Sequence, residues 1–405
     1  MGADIPAGVE MSRRILEDEL GKETVFRDAS KLLPDYVPST LVHRDEEFRQ
    51  LTRIFRPVLE NNASQRALLT GSTGVGKTAI SMKFGEELKS AMRGKDLKLD
   101  YIHVNCRKDN SIHAVLLKLV HHYNPREPYR GLGPEKLLGD LVTRLRAHDE
   151  YLLVTLDELD YFMQLNGPDV LYWLTRAEEE RGERNRISVI AIAKSREEFL
   201  RLLDAPTQST FLHNVLPLEK YNARQLTDIV NQRLGDAFRS GSVDPETVEM
   251  IADTASRWGD ARLALELIWR SGMVADMERC DSVMPEHARQ AKAEIYPEIK
   301  KEVLQDMKFH EKLLLLAVAR RLKISKQAYA MTGEVEKAYA VVCEEHGEAP
   351  LKHTQLWEHM QKLGELGLVD VQPSGAGHRG RSMRVSIPEA PVTWIEKEIV
   401  KVLGR

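Results

Sequence analysis

Cysteine is scarce in this sequence, with only three residues among 405, at positions 106, 280 and 343. They are far apart and odd in number, and they lack the paired spacing of a zinc site. Reduced thiols in a cytosolic protein are therefore expected. Long apolar runs are also missing, since the longest clear one, residues 313–319, is too short to cross a bilayer. The first residues, with Asp4 and Pro6, lack the basic-then-apolar layout of a signal peptide.

An excess of basic charge is absent as well, because the formal net charge is −4. Any contact with nucleic acid must therefore be confined to local patches of the surface. What remains is an ordinary globular composition, 42% hydrophobic and 30% charged. The length predicts two or three domains.

The most informative stretch is Gly-Ser-Thr-Gly-Val-Gly-Lys-Thr at residues 71–78, between an apolar run at 67–70 and a predicted helix at 79–92. In that setting the pattern indicates phosphate binding, because glycines let backbone N–H groups surround phosphates at a helix N-terminus. Lys77 is predicted to reach the β- and γ-phosphates, and the Thr78 hydroxyl to hold Mg²⁺. The residues predicted to contact ATP or ADP here are Gly71, Gly74, Val75, Gly76, Lys77, Thr78 and Ala79.

A second apolar run, residues 151–158, ends in the acids Asp157 and Glu158. Asp157 is predicted to share Mg²⁺ with Thr78, and Glu158 to orient or deprotonate the attacking water. Lys77, Asp157 and Glu158 form the predicted catalytic set. The alternative interpretation is an acidic pair that only caps the next helix.

The order of apolar patterns predicts three domains behind a short lead-in. Strands alternate with helices as far as residue 219, which predicts an α/β P-loop core with a parallel sheet covered on both faces. The next segment shows only helical spacing of its apolar residues, which predicts a small helical domain. The last part has three predicted helices and two short strands, at 369–371 and 383–387, and this order indicates a winged helix. The predicted boundaries are 1–22 for the lead-in with a helix at 12–20, 23–219 for the core, 220–300 for a small all-α lid, and 301–405 for the winged helix. Pro57 is expected to kink or end the helix that starts at Asp45.

Together these segments resemble the archaeal replication-initiator family of AAA+ ATPases, relatives of the largest origin-recognition-complex subunit and its loader partner. The resemblance covers nearly the whole chain. Beyond the two ATPase motifs, it is carried by Tyr-Val-Pro at 36–38, His-Arg at 43–44, the segment 221–233 and Gly-Asp-Ala-Arg at 259–262. It implies that Tyr36, Val37, Pro38, His43 and Arg44 border the adenine, that Tyr221 and Arg233 contact nucleotide from the hinge and lid, and that Arg262 is the lid sensor.

Two departures from the family pattern concern ATP hydrolysis. The sensor position, usually Asn, is Lys194 here, and the segment 204–211 has no arginine to act on a neighbour's ATP. Losing an arginine with this role can lower the rate of ATP hydrolysis by a factor of about 10³–10⁵. Slow hydrolysis is therefore expected, in a switch that responds to bound ATP or ADP, and a divergent regulatory paralogue is one interpretation.

The winged helix offers two candidate DNA contacts. In the helix predicted at 351–366, the residues predicted to form the core stripe are Leu356, Trp357, Met360, Leu363 and Leu366. The polar residues left to face DNA are Lys352, His353, Thr354, Gln355, His359 and Lys362. The hairpin adds His378, Arg379, Arg381 and Arg384, which can reach phosphates or a narrow minor groove.

Other interpretations of the DNA-binding end stay open. The hairpin could be solvated and used for protein contacts, and a further DNA contact could lie around Arg126 and Arg130. The leading hypothesis is an ATP-dependent origin-recognition protein that binds duplex origin DNA and helps to recruit the replicative helicase. A paralogous initiator is a further expected partner. The expected location is cytoplasmic and nucleoid-associated, without membrane contact. The alternatives are an ATP-gated transcriptional regulator and a remodelling or loader-type ATPase without sequence-specific DNA binding.

Overall fold

The computed structural model describes residues 23–61, 63–94, 97–126, 129, 131–176, 185–204, 207–208, 211, 213–295, 301–373, 383–388 and 390–404. The lead-in at 1–22, with its predicted helix, lies outside the described residues. By internal contacts the chain divides into two compact units. The first comprises Val37–Gln225 with Trp258–Arg262. The second comprises Met1–Tyr36, Leu226–Arg257 and Leu263–Arg405, as far as they are described.

The first unit is built on a five-stranded parallel sheet in the order β2-β3-β4-β1-β5, which confirms the predicted α/β core. Its strands are β1 Arg66–Thr70, β2 Lys98–Asn105, β3 Glu150–Asp157, β4 Ile187–Ile192 and β5 Val215–Pro217. Its helices are α1 Asp45–Asn61, α2 Lys77–Met92, α3 Ile112–Tyr123, α4 Pro134–Ala147, α5 Leu159–Asn166, α6 Asp169–Arg176 and α7 Arg196–Arg201.

Helices cover the sheet on both faces, and successive strand residues point to opposite sides and pack against them. On one face, Leu69 of β1 belongs to a cluster with Phe55 of α1 and Phe84 of α2. On the other face, Leu68 belongs to a cluster with Leu116 of α3. The loops that follow β1 and β3 therefore leave the carboxyl edge of a rigid layer, where open parallel sheets place their ligands.

Pro57 does not end its helix, so that expectation is wrong in part. α1 continues through Pro57 to Asn61, although proline has no N–H to donate. Leu51, Phe55 and Val58 of this helix are buried in the cluster on the sheet. Burial of that apolar face outweighs one missing hydrogen bond, since tertiary packing supplies most of a helix's stability in proteins.

The second unit contains the lid helices and the winged helix. α8 Ala223–Ala237, α9 Pro245–Ser256, α10 Ala261–Met277 and α11 Pro285–Ile295 form the lid, although α8 and α10 begin in the first unit. The helices that follow are α12 Lys301–Asp306, α13 Phe309–Ser325, α14 Thr332–Glu345, α15 His353–Glu365 and α16 Val392–Val402. An antiparallel sheet in the order β6-β8-β7 completes the predicted winged helix, with β6 Ala330–Met331, β7 Asp370–Pro373 and β8 Met383–Ser386. The sequence did not predict β6 or α16.

Helix α13 is the centre of the winged-helix core. Every residue from Leu313 to Ala319 is fully buried, which is the expected state of a helix that is apolar on all sides. The longest apolar run of the sequence is thus a core helix. In the described parts of the chain, no helix is both long enough and apolar enough to cross a membrane.

A buried arginine joins the lid helices to the winged helix. Arg289 of α11 is only 1% exposed, and its Nη1 donates to the Glu286 carboxylate at 3.1 Å. Glu286 also accepts the backbone N–H of Val392, at the start of α16. The other donors of Arg289 reach backbone carbonyls at 2.9–3.2 Å, those of Gln327, Ala328 and Ile387. A guanidinium can be buried at this position because nearby oxygens accept its N–H groups.

The segment before the core packs on the lid helices. The N–H of Val25 donates to the Asp276 carboxylate at 2.8 Å, and its carbonyl accepts from Arg239 at 3.0 Å. The rings of Phe26 and Phe238 lie 4.6 Å apart. Residues 25 and 26 are therefore an integral part of the second unit.

Candidate nucleotide site and winged-helix surface

The phosphate loop connects β1 to α2 in an unusual backbone conformation. Gly71, Gly74 and Gly76 have φ angles of +146°, +76° and +89°, a region that other residues rarely adopt. A Cβ on Gly74 would overlap the Asp260 carboxylate, and one on Gly76 would lie 3.0 Å from the Tyr221 hydroxyl. The loop thus requires glycine, and its conformation is typical of anion-binding loops at a helix N-terminus.

Lys77 begins α2 with its side chain folded over the loop. Its Nζ donates to the carbonyls of Gly71 at 2.6 Å and Ser72 at 2.8 Å. Burial lowers the pKa of Lys77, and neighbouring carboxylates, led by Asp157, oppose that shift. The negative charge of a bound phosphate would add to the carboxylates and favour the ammonium form.

The two predicted Mg²⁺ ligands meet. The Thr78 hydroxyl donates to Asp157 Oδ2 at 2.7 Å, and Nε2 of His103 lies 3.3 Å from the same oxygen. Burial acts to raise the pKa of Asp157, but hydrogen bonds from His103 and Thr78 outweigh it, so the pKa lies below its ordinary value. An ionised carboxylate beside a hydroxyl suits Mg²⁺, which prefers oxygen ligands.

His103 was missed by sequence reasoning. It lies on β2, and it reaches Asp157 because β2 and β3 pair in parallel with Asn105 opposite Asp157. A polar residue between the apolar Ile102 and Val104 was the available signal.

Glu158 and Lys194 complete the edge of the site. Glu158 has φ +55°, uncommon for a non-glycine residue, and its N–H donates to Asp157 Oδ1 at 2.9 Å. Lys194 follows β4, where its N–H donates to the Asp160 carboxylate at 3.0 Å. Its carbonyl accepts from the N–H of Gly71 at 3.2 Å. The residue at the predicted sensor position therefore lies beside the phosphate loop.

Arg44 and Tyr221, both expected at the nucleotide, contact each other. Arg44 is 4% exposed, and its Nε donates to the Tyr221 hydroxyl at 2.8 Å. Its guanidinium lies 4.1 Å from the centre of the Tyr221 ring. Its Nη2 donates to the carbonyls of Val75 at 2.8 Å and Glu219 at 2.9 Å, and its Nη1 donates to the Glu47 carboxylate.

The first turn of α10 also touches the loop. The N–H of Ala261 donates to the Gly74 carbonyl at 3.1 Å, and the N–H of Arg262 donates to Asp260 at 2.8 Å. Arg262 itself is exposed, and its positive charge contributes to lowering the pKa of Lys77. The segment expected to carry the lid sensor thus lies in the first unit, next to the phosphate loop.

In the second unit, Tyr36 and Arg233 form a further pair. The Arg233 guanidinium lies 4.7 Å from the centre of the Tyr36 ring and donates to the Tyr36 carbonyl at 3.3 Å. Burial lowers the pKa of Arg233. The other residues expected near the adenine belong to the first unit, where Val37 is half-buried, Pro38 is buried, and His43 is exposed with φ +60°. The roles of these residues toward nucleotide remain predictions.

Helix α15 confirms most of the predicted stripe. Leu356, Met360 and Leu363 are buried, and Trp357 packs against them. Leu366 is 39% exposed, because it caps the end of the helix instead of facing the core. The exposed polar residues at the start and on the outer face of the helix include all five of the predicted DNA contacts of this helix, Lys352, His353, Thr354, Gln355 and Lys362, together with Glu358 and Gln361.

One polar residue of the winged helix is placed differently from expectation. His359 was predicted to face outward, but its Nδ1 lies 3.3 Å from the buried Glu311 carboxylate. The guanidinium of Arg384, on β8, lies 4.2 Å from the centre of the Tyr329 ring, and its contact with DNA stays a prediction. The remaining predicted DNA contacts, His378, Arg379 and Arg381, lie outside the described residues, as does Arg130. Arg126 is exposed.

Family models match three successive parts of this chain. They are an AAA domain at residues 62–203, a Cdc6 AAA+ ATPase-type lid domain at 227–293, and a CDC6 C-terminal winged helix domain at 302–396. The ORC1-type DNA replication protein 2 of Sulfurisphaera tokodaii is 33% identical over 386 residues, which cover 93% of this chain and 92% of that protein. This chain belongs to the ORC1-type DNA replication protein family. The ORC1-type DNA replication protein of Thermococcus onnurineus is 30% identical over 93% of this chain and 91% of its own.

Two solved structures are similar to this chain over nearly its whole length. Cdc6p from Pyrobaculum aerophilum matches with a TM-score of 0.80 at 30% identity, over 94% of this chain and 98% of that one. The Aeropyrum pernix ORC1 protein, solved in complex with DNA, matches with a TM-score of 0.61 at 30% identity, over the same shares of the two chains. The resemblance to AAA+ replication initiators is thereby confirmed. The family implies a nucleotide and Mg²⁺, and the glycine loop, Lys77 and the Thr78–Asp157 pair fit both.

Proposed function

We propose that this ORC1-type chain is an ATP-gated replication initiator that binds duplex origin DNA and helps to recruit the replicative helicase. The observation that carries DNA binding is the start of α15, where Lys352, His353, Thr354 and Gln355 are all exposed next to the buried Leu356. Short polar and basic side chains at the N-terminus of a recognition helix suit contacts with base edges and phosphates. The Aeropyrum pernix relative solved with DNA supports this assignment.

We further propose that the phosphate loop binds ATP or ADP, with Lys77 at the β- and γ-phosphates and Mg²⁺ held by Thr78 and Asp157. Magnesium would neutralise charge on the phosphates, and Glu158 would orient or deprotonate the water. Arg262, exposed beside the loop, is proposed to sense the γ-phosphate. Slow hydrolysis is expected from Lys194 and from the missing arginine at 204–211, so nucleotide occupancy is proposed to control DNA binding. A paralogous initiator is a further proposed partner.

The role of α15 can be tested by the salt dependence of duplex binding. Replacing Lys352 and Lys362 with alanine is expected to weaken binding to every duplex. The slope of log affinity against log salt should flatten by about 0.9 for each phosphate that the variant no longer neutralises. Lys397→Ala, an exposed lysine of α16 in the same domain, is the matched control. A double variant with the same slope as that control would exclude α15 from the DNA interface.

Footprinting on genomic DNA distinguishes the possible cellular roles. Protection of repeated sites at a replication origin is the expected result. Protection confined to promoters would instead indicate a transcriptional regulator with the same domains. Absence of protection, with nucleotide binding retained, would indicate a remodelling or loader-type ATPase whose winged helix contacts protein.

A further inference from the structure

We propose that Arg44 is a positioning residue that fixes the phosphate loop, and that it does not recognise the adenine base. The proposal rests on the proposed nucleotide binding, and it assigns to Arg44 a different partner from the one that family resemblance implies. Its basis is the set of contacts around a buried guanidinium in the first unit.

The donors of Arg44 are almost all used within the protein. A guanidinium has five N–H groups, and those of Arg44 reach four acceptors, namely the Tyr221 hydroxyl, the carbonyls of Val75 and Glu219, and the Glu47 carboxylate. One face of the guanidinium lies 4.1 Å from the centre of the Tyr221 ring. With 4% of its surface exposed, Arg44 has little left to offer a base.

The contact with Val75 bears directly on phosphate binding. In a trans peptide the C=O and the next N–H point in opposite directions. Since the Val75 carbonyl points to Arg44, the N–H of Gly76 is directed away from Arg44. That N–H belongs to the residue directly before Lys77, where phosphate-loop amides meet the phosphates. Arg44 therefore sets the orientation of a phosphate-binding amide without touching the ligand.

Two other contacts support the same role. The Glu219 carbonyl, which shares Nη2 with Val75, lies just beyond β5, so Arg44 ties the loop to the adjacent strand of the sheet. The Tyr221 hydroxyl would lie 3.0 Å from a Cβ on Gly76, so Tyr221 packs directly behind the loop. Arg44 and Tyr221 together hold Val75 and Gly76 in place from the side away from the ligand.

The test compares ligands that share phosphates and differ in the base. Calorimetry without Mg²⁺ would measure the affinities of Arg44→Lys for ADP, GDP and inorganic tripolyphosphate. We expect all three to weaken by a similar factor, about tenfold for one misplaced amide hydrogen bond, with the ADP-to-GDP ratio unchanged. A changed ratio with unchanged tripolyphosphate affinity would place Arg44 at the base and overturn the proposal. Arg49→Lys, an exposed arginine of α1, is the control and should change none of these.

A second variant protects the test against a folding defect. Tyr221→Phe removes only the acceptor of Arg44 Nε and keeps the ring, so the buried charge retains its other partners. It is expected to weaken ADP and tripolyphosphate by the same smaller factor, while unchanged tripolyphosphate affinity would overturn the proposal even if Arg44→Lys does not fold. If the unaltered protein binds neither ADP nor tripolyphosphate, the proposed nucleotide function fails. If the variants lose affinity for ADP but not for tripolyphosphate, only the proposed role of Arg44 is overturned.

Discussion

Replacing Arg289 with methionine is expected to destabilise the lid and winged helix together. The substitution keeps an unbranched stem of similar length to the aliphatic part of arginine but removes every donor to the carbonyls of Gln327, Ala328 and Ile387. It also leaves Glu286, which is half-buried, without its cation. A buried acceptor left unpaired costs about 1–3 kcal/mol, and breaking a buried ion pair costs about 3–5 kcal/mol. Since such costs overlap, we expect a loss of about 3–5 kcal/mol.

Scanning calorimetry of the full chain gives the first measurement. For a domain of about 150–250 residues, each 1 kcal/mol corresponds to about 2–4 °C, so the transition of the second unit should fall by about 6–20 °C. Hydrogen exchange should also accelerate in the peptides around residues 328 and 387. Arg270→Met is the matched control, because Arg270 pairs with Glu266 on the surface of α10 and contributes about 0.5 kcal/mol or less.

The pH dependence of the Arg289 variant follows from Glu286. Burial raises the pKa of Glu286, and Arg289 opposes that rise, so the variant should raise the pKa further. An acid with a raised pKa in the folded state binds its proton more tightly there. Stability is therefore lost as the pH rises through the folded pKa. The variant should lose more stability at pH 8 than at pH 5. Melting at the temperature of Arg270→Met at both pH values would refute the reasoning.

Two further predictions concern the first unit. Gly85→Ala in α2 is expected to lower stability by about 1–3 kcal/mol, because its Cβ would lie 2.2 Å from the Tyr101 ring. Gly139→Ala in α4, where nothing lies within 4 Å, should instead raise stability by up to about 1 kcal/mol; chemical denaturation measures both, and equal effects would contradict the packing argument. Single-turnover assays should show that the isolated protein hydrolyses ATP slowly, because Lys194 replaces the usual sensor and 204–211 has no arginine. Brisk turnover would rule out the slow switch.

The phosphate loop and the pair Thr78–Asp157 could be predicted because each motif is local. A glycine pattern between a strand and a helix determines its own conformation, and an acid at the end of a buried strand must lie at the sheet's carboxyl edge. The contact between His103 and Asp157 could not be predicted, because it depends on which strand pairs with β3 and in which register. Both the pairing and the register depend on packing between β2 and β3, and His103 and Asp157 are 54 residues apart in the sequence.

Arg289 shows a second limit of sequence reasoning. An arginine between Ala288 and Gln290 in a polar helix looks exposed. The free-energy cost of its burial is offset by Glu286 of the same helix and by backbone carbonyls of the winged helix, which no local pattern reveals. Short or late elements were missed for a related reason. β6 spans two residues and exists only through its pairing with β8, so no periodicity could reveal it.

The packing of the segment around Val25 on the lid limits how this chain can be divided into fragments. A piece that starts at Ala223 would retain every lid and winged-helix element but would lack the backbone partners of Arg239 and Asp276. The Phe238 ring and the close surface at Gly272, both covered by Phe26, would face water. A self-sufficient C-terminal half is therefore discontinuous in sequence, and it must carry residues from the other end of the polypeptide.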